Sequence, residues 1–271
     1  MARVHHLNCG TFCPRGKRLM TGRGGLLEAG RAVCHCLLIE TDGGLVLLDT
    51  GFGTGDVTHP GRLGRPFRAL LRPCLLEEET ALRQVQALGF APSDVTDIVL
   101  THLDLDHAGG LGDFPRAQVH AFAPELRAAL HPGLRERARY VPAQWEHGPQ
   151  WREHEVAGDS WCGCENVRLL PDLDTEVVLV PLPGHTRGHS GVAVERDGRW
   201  LLHCGDAFFH HGEVRDPPDC PPGWKLFQEV SVHDRGARDA NKQRLRELAA
   251  AHGEEVELIC SHDPELLDAV A

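Results

Sequence analysis

The sequence has no run of about 18 apolar residues, and so no obvious membrane-spanning helix. Its first ten residues, MARVHHLNCG, lack the basic and apolar blocks of a secretion signal, and the expected location is the cytoplasm. Basic residues are in short supply. The 28 Lys and Arg stand against 39 Asp and Glu, the net charge is −11, and no basic block rises above that background. Binding to nucleic acid is thereby disfavoured, because that grip rests on Lys and Arg neutralising phosphates. No composition break or linker divides the 271 residues, so a single domain over 1–271 is expected, as a monomer or homodimer. The ten cysteines lack the two CxxC-like pairs of a four-cysteine zinc site. Cys34 and Cys36 alternate within the strand-like VCHCLLIE and read as small buried hydrophobes on one face.

Histidine, by contrast, is abundant, with 18 residues. Short apolar runs bounded by Gly, Pro and Asp predict strands over 33–40, 45–49, 97–101, 118–122, 177–180, 191–195, 200–203 and 256–260. Helical spacing predicts helices over 77–88, 124–130, 237–252 and 264–270. Two successive sets of strands with helices between them imply two sheets with helices outside, an α/β layered fold. The segments 140–166 and 208–230, rich in Trp and Pro, read as irregular loops of the kind that form lids. Trp161 and Trp200 read as core, whereas Trp145, Trp151 and Trp224 are candidates for a pocket wall. The Arg-rich run from Arg135 to Tyr140 reads as the wet side of a helix.

The stretch THLDLDHAGG, Thr101 to Gly110, puts His102, Asp104, Asp106 and His107 within six residues. Extended chain would turn His102, Asp104 and Asp106 to one side and Leu103 and Leu105 to the core. Gly109 and Gly110 then allow a sharp turn. A group this dense can serve two metal ions. Matching pieces occur elsewhere, each a metal-capable residue at the end of an apolar strand: His185 and His189 in VPLPGHTRGHSG, Asp206 in LLHCGDAFF, His262 in ELICSHDP.

LLDTGFG, THLDLDHAGG, PLPGHTRGHSG, CGDAF and SHDP, in this order over nearly the whole chain, resemble the metallo-β-lactamase superfamily, and within it the lactonase-like small hydrolases. The resemblance implies an αβ/βα four-layer sandwich with a two-metal site at the sheet edges. It assigns His102, Asp104 and His185 to one ion and Asp106, His107 and His262 to the other. Asp206 would bridge them, Asp49 would orient a ligand or the loop beneath the site, and His189 would be a hydrogen-bonded structural histidine. Asp104 departs from the common HxHxDH pattern. It adds a negative charge, leaving the site with its hydroxide neutral, and carboxylates suit harder ions. Two divalent ions are expected, zinc first, with iron or manganese as alternatives; the flavodiiron branch carries a carboxylate at the same position.

Two ions can share one hydroxide and polarise one carbonyl oxygen. Asp106 would then move the proton to the leaving group. The implied function is metal-dependent hydrolysis of a lactone or related ester of a small molecule. A glyoxalase-II-like thioester hydrolase is an alternative, for which Arg187 or Lys225 would supply part of the needed positive charge. A diiron redox protein with a separate electron donor is another. Similar lactonases carry a tyrosine shortly after the bridging aspartate. Here Phe208 and Phe209 stand there, followed by His210 and His211 as candidate replacement donors, and Tyr140 is the only tyrosine.

Overall fold

In the computed structural model, which describes residues 3–270 apart from 157, 171, 172 and 174, two six-stranded mixed sheets pack face to face with helices outside them. The ends of the 1–271 chain, residues 1, 2 and 271, lie outside the described residues. The first sheet runs in chain order: β1 (Arg3–Phe12), β2 (Ala32–Thr41), β3 (Gly44–Leu48), β4 (Val95–Val99), β5 (Gln118–Phe122) and β6 (Gln150–His154). β1 to β3 are antiparallel; β3 to β6 are parallel. The second sheet consists of β7 (Asp159–Trp161), β8 (Cys164–Leu169), β9 (Val177–Pro181), β10 (Ser190–Arg196), β11 (Arg199–His203) and β12 (Val256–Ile259). Its spatial order is β12-β11-β10-β9-β8-β7, with only the β11/β12 pair parallel.

The layering follows from side-chain alternation along each strand. In β2 and β3, Leu37, Ile39, Val46 and Leu48 face the other sheet, where they meet Val177, Leu179, Val192, Val194 and Ile259. Their neighbours Cys34, Cys36, Leu38, Leu45 and Leu47 face outward. There they pack under α4 (Ala81–Ala87) and α5 (Ala123–Leu130). On the second sheet, Val178, Val180, Ala193 and Leu202 face outward against Leu245 and Leu248 of α7 (Arg235–His252). Both faces of the central strands are buried, so they read as continuous apolar runs. The αβ/βα sandwich and the shared face of Cys34 and Cys36 are as expected. The shorter helices are α1 (Lys17–Thr21), α2 (Thr54–Thr58), α3 (Arg65–Leu71), α6 (Pro222–Ser231) and α8 (Pro264–Asp268). Among the described residues no helix is long and apolar enough to cross a membrane.

The expected irregular segments are more ordered than their composition implies. The range 140–166 contains β6 and β7, which are sheet-edge strands, and the start of β8. β6 reads QWREH and has no buried residue, so it lacks the apolar pattern that marks a strand. The range 208–230 contains a 3-10 turn (His211–Val214) and α6. Arg135–Tyr140 is not a helix face. It forms a 3-10 turn at Glu136–Ala138, with Arg135 and Arg137 exposed but Glu136, Arg139 and Tyr140 turned inward. The helix expected from 77 begins only at Ala81, because the Thr80 side chain accepts a hydrogen bond from Arg83 N and caps it. Gly109 and Gly110 serve close approach rather than a left-handed turn. A Cβ on Gly109 would meet Asp56 Oδ2 and the Gly51 carbonyl.

Gly51 does need its glycine. Its φ is +60°, and a Cβ would come within 2.2 Å of the Cys9 carbonyl, which accepts from Phe52 N. Gly51→Ala is expected to destabilise by about 2–4 kcal/mol, combining left-handed strain with displaced backbone, and to lower Tm by several degrees. Thermal unfolding followed by circular dichroism checks this; an unchanged Tm would contradict the packing described.

Candidate metal centre

Every expected metal-capable side chain sits on a loop that leaves a strand at the same edge of the sandwich. β4 leads to His102–His107, β9 to His185, β11 to Asp206 and β12 to His262. The structure brings all seven together. Leu103 and Leu105 are buried, as the alternation requires, although Asp104 already begins a turn: its carbonyl accepts from His107 N and Ala108 N. Asp104 Oδ2 lies 3.0 Å from His185 Nε2 and 3.6 Å from His102 Nε2. Asp206 reaches four rings, and its Oδ2 also approaches His262 Nε2 at 3.2 Å. Oδ2 is 3.4 Å from His185 Nε2 and 3.9 Å from His102 Nε2, while Oδ1 is 3.1 Å from His262 Nε2 and 3.4 Å from His107 Nε2. Asp106 Oδ2 is 3.6 Å from His262 Nε2.

The outer nitrogens of the rings fix which nitrogen faces inward. His262 Nδ1 lies 2.7 Å from the Val33 carbonyl, which can only accept, so Nδ1 carries the hydrogen. His107 Nδ1 lies 2.8 Å from Asp49 Oδ2. A neutral ring would turn its Nε2 lone pair toward carboxylate oxygens at 3.1–3.4 Å, so the contact is favourable only with a proton on Nε2 or a cation between them. The buried atoms His102 Nε2, His107 Nε2 and Asp206 Oδ1 have no hydrogen-bond partner. The electrostatics agree. Burial works against charge on His107, but Asp206 and Asp49 outweigh it and hold its pKa well above the usual value. Burial likewise works against charge on Asp206, yet His262, His107 and His185 keep its carboxyl well below the usual range. The cluster therefore calls for positive charge, and its buried His and Asp donors fit divalent cations.

His189 belongs to the scaffold, as expected. Its Nδ1 faces the Leu182 carbonyl at 3.0 Å and its Nε2 accepts from Asp206 N at 2.9 Å, so neither nitrogen is left over. Asp49 holds the loop from beneath. It accepts from Thr101 N, Thr101 Oγ1 and His107 Nδ1.

Three residues escaped the sequence reading. Arg139 lies against Asp104, Nε to Oδ1 at 3.2 Å, and its contact was hidden in a run that looks solvent-facing. Glu125, buried at the start of α5, accepts from Leu103 N, Tyr140 Oη, Thr186 Oγ1 and Gly188 N, tying the first metal-capable loop to the one bearing His185. Nothing in APEL distinguishes it from an ordinary acidic residue in a first helical turn. Cys34 places Sγ within 4.8 Å of the ligand atoms of Asp106 and His262.

The candidate replacement donors are occupied elsewhere. His210 Nδ1 accepts from Gly212 N, and His211 Nδ1 pairs with Asp263 at 2.8 Å; neither ring lines the cleft. Phe209 instead stacks on His262 and Trp224. Trp145, Trp151 and Trp224 also lie off the cleft, contrary to the pocket reading, while Trp161 and Trp200 pack edge to face as core. The cleft itself is about 1200 Å³ and is walled by α3, residues 133–142 and the end of α6, with Phe67, Leu71, Leu105, Tyr140 and Phe227 as its apolar surface.

A model of the metallo-beta-lactamase superfamily matches residues 29–262. The chain belongs to the metallo-beta-lactamase superfamily. A probable metallo-hydrolase of Mycobacterium tuberculosis is 47% identical over 265 residues, covering 97% of this chain and 81% of that protein. The N-acyl homoserine lactonase of Bacillus thuringiensis is 29% identical over 163 residues, covering 60% of this chain and 58% of that one. Among solved structures, an N-acyl homoserine lactone hydrolase with N-hexanoyl-L-homoserine at its catalytic metal centre superposes with a TM-score of 0.73 at 22% identity, over 99% of this chain and 96% of that chain. A dizinc quorum-quenching lactonase superposes with a TM-score of 0.63 at 17% identity, over 97% and 88%. These two superpositions speak to the fold of this metallo-beta-lactamase superfamily member.

Removing Asp49 would leave His107 and Thr101 unpaired in a fully buried place. Asp49→Ala is expected to cost about 3–5 kcal/mol, the scale of breaking a buried charged pair. Denaturant unfolding tests it; a loss under about 1 kcal/mol would mean that Asp49 does not hold the loop.

Proposed function

We propose that this chain is a metal-dependent hydrolase that opens a lactone or a related ester of a small molecule. In this reading His102, Asp104 and His185 hold one divalent ion, Asp106, His107 and His262 hold a second, and Asp206 is shared. The observation that carries it is the set of buried, partnerless atoms His102 Nε2, His107 Nε2 and Asp206 Oδ1 converging at the sheet edge. Bound divalent cations supply Lewis-acid polarisation of a carbonyl and make a water acidic enough to attack at neutral pH. Four imidazoles among the donors favour zinc, and three carboxylates keep iron or manganese as the alternative.

The chain's own groups do the rest. Asp106 is partly open to the cleft and stands beside His262, so it is placed to take the proton of the attacking water and return it to the departing oxygen. His189 and Asp49 spend all their capacity on orientation and move no proton. The apolar wall of Phe67, Leu71, Leu105 and Phe227 suits the uncharged part of a small substrate. The lactonase relatives and the dizinc lactonase neighbour favour a lactone bond over other esters. Of the two cations expected for the thioester alternative, Arg187 is paired with Glu136 at 2.7 and 2.9 Å and Lys225 lines a separate cavity with Glu213 and Lys242, while Arg135, Arg137 and Arg235 line the main cleft.

Metal analysis and a hydrolysis panel test this together. Protein loaded with zinc, manganese or iron is assayed on lactones, thioesters and aryl esters. Two equivalents of metal per chain and turnover of a lactone or ester, lost on chelation and restored by metal, are expected. Asp206→Ala and His262→Ala should lower kcat/KM by at least about a hundredfold, since each removes a ligand. Zero or one equivalent of metal sinks the two-ion reading. An inactive panel with both ions bound sinks the hydrolase reading.

A further inference from the structure

The second position of the metal-capable motif holds Asp104, where the superfamily pattern has histidine, and counted alone it adds one negative charge. Arg139 changes that count. Its guanidinium is largely buried, with Nε 3.2 Å from Asp104 Oδ1. Two further contacts fix it: Nη1 donates to the His185 carbonyl and Nη2 to the Ser231 carbonyl, both at 2.7 Å. The backbone around it is docked on the motif itself, because Leu105 N donates to the Arg139 carbonyl at 3.1 Å. Asp104 is thus divided between one arginine and two histidines. Oδ1 faces the guanidinium, and Oδ2 faces His185 Nε2 and His102 Nε2. With Arg139 included, the cluster carries the same net charge as one with histidine at 104 and no arginine.

We propose that Asp104 and Arg139 act as one unit in place of the motif's second histidine, with Oδ2 as the ligand atom and the guanidinium holding Oδ1 and offsetting its charge. This rests on the two-ion reading above. Asp is shorter than His, so a lone Asp104 would be free to rotate or to fall short of its ion. The charge contact at Oδ1, an ion pair and not a hydrogen bond, restricts that freedom and leaves Oδ2 for a metal. Arg139 is therefore a positioning residue: it acts on the ion and on substrate through Asp104.

The test is a charge-swap cycle read by metal content and affinity as well as by activity. Asp104→His alone leaves Arg139 as an uncompensated cation beside the ion held by His102 and His185. That variant is expected to bind one of its two ions about tenfold more weakly, or to lose it, as a unit charge a few ångströms away in a partly buried site is worth at least that. The double variant Asp104→His/Arg139→Gln rebuilds the HxHxDH arrangement and is expected to regain both ions with affinity near that of the parent. It should also recover the visible absorption of the cobalt(II)-loaded protein. If Arg139 merely pins the His185 and Ser231 carbonyls, histidine at 104 cannot compensate for its loss. A double variant no better than Asp104→His alone therefore overturns the proposal. Asp104→His/Arg139→Leu gives the same comparison should the Gln variant not fold. Parent protein that binds fewer than two ions would instead overturn the two-ion reading, so the two failures are distinct.

Discussion

Neutral imidazoles and carboxylate oxygens gathered at little more than 3 Å repel one another unless a proton or a cation stands between them. Here the loops that carry them are clamped from beneath by two further buried carboxylates. Asp49 receives three hydrogen bonds and Glu125 four, so neither is left with the cost of an unpaired buried charge. Asp49 grips both ends of the loop after β4 through Thr101 and His107. Glu125 joins the middle of that loop at Leu103 to the loop after β9 at Thr186 and Gly188. The remaining ligand-type residues, Asp206 and His262, are fixed through His189 and the Val33 carbonyl. Geometry that a cation would use is thus imposed by protein groups that a cation never touches.

That division explains what the sequence reveals and what it hides. The central strands announce themselves because both faces are buried, and β4, β9 and β11 run into metal-capable residues. LLDTG, THLDLDHAGG, GHTRGHSG, CGDAF and SHDP could therefore be read in order, and His189 could be separated from the ligand set. The edge strands β6 and β7 could not be read, since β6 has no buried residue and β7 is three residues long with Trp161 alone buried. Glu125 was invisible for a different reason. Its partners lie 15 to 63 residues away, and a glutamate in a first helical turn needs no further explanation. Arg139 was hidden by its neighbours: Arg135 and Arg137 do face water, while Arg139, three residues after the buried Glu136, turns inward with it.

Asp104 and Arg139 show how a departure from a motif can be misjudged residue by residue. Charge arithmetic over the motif alone makes the site less positive and its Lewis acid weaker. The same arithmetic over the folded neighbourhood cancels the difference, because the guanidinium arrives from 35 residues downstream. Departures at a charged site are better judged by the net charge within a few ångströms than by the letter at one position.

The wall of the cleft obeys another logic. α3, residues 133–142 and the end of α6 carry exposed apolar side chains, among them Leu70, Leu134 and Val230, and have little of the buried hydrogen bonding that locks the ligand-bearing loops. Arg139 is where the two regions meet. It belongs by sequence to the wall and by contact to the metal-capable cluster, gripping Asp104, His185 and Ser231 of α6 at once. A change in wall sequence that moved residues 133–142 would therefore reach the charge balance of the centre through this one guanidinium. Substrate range and metal chemistry, separable elsewhere in the cleft, are coupled at that point.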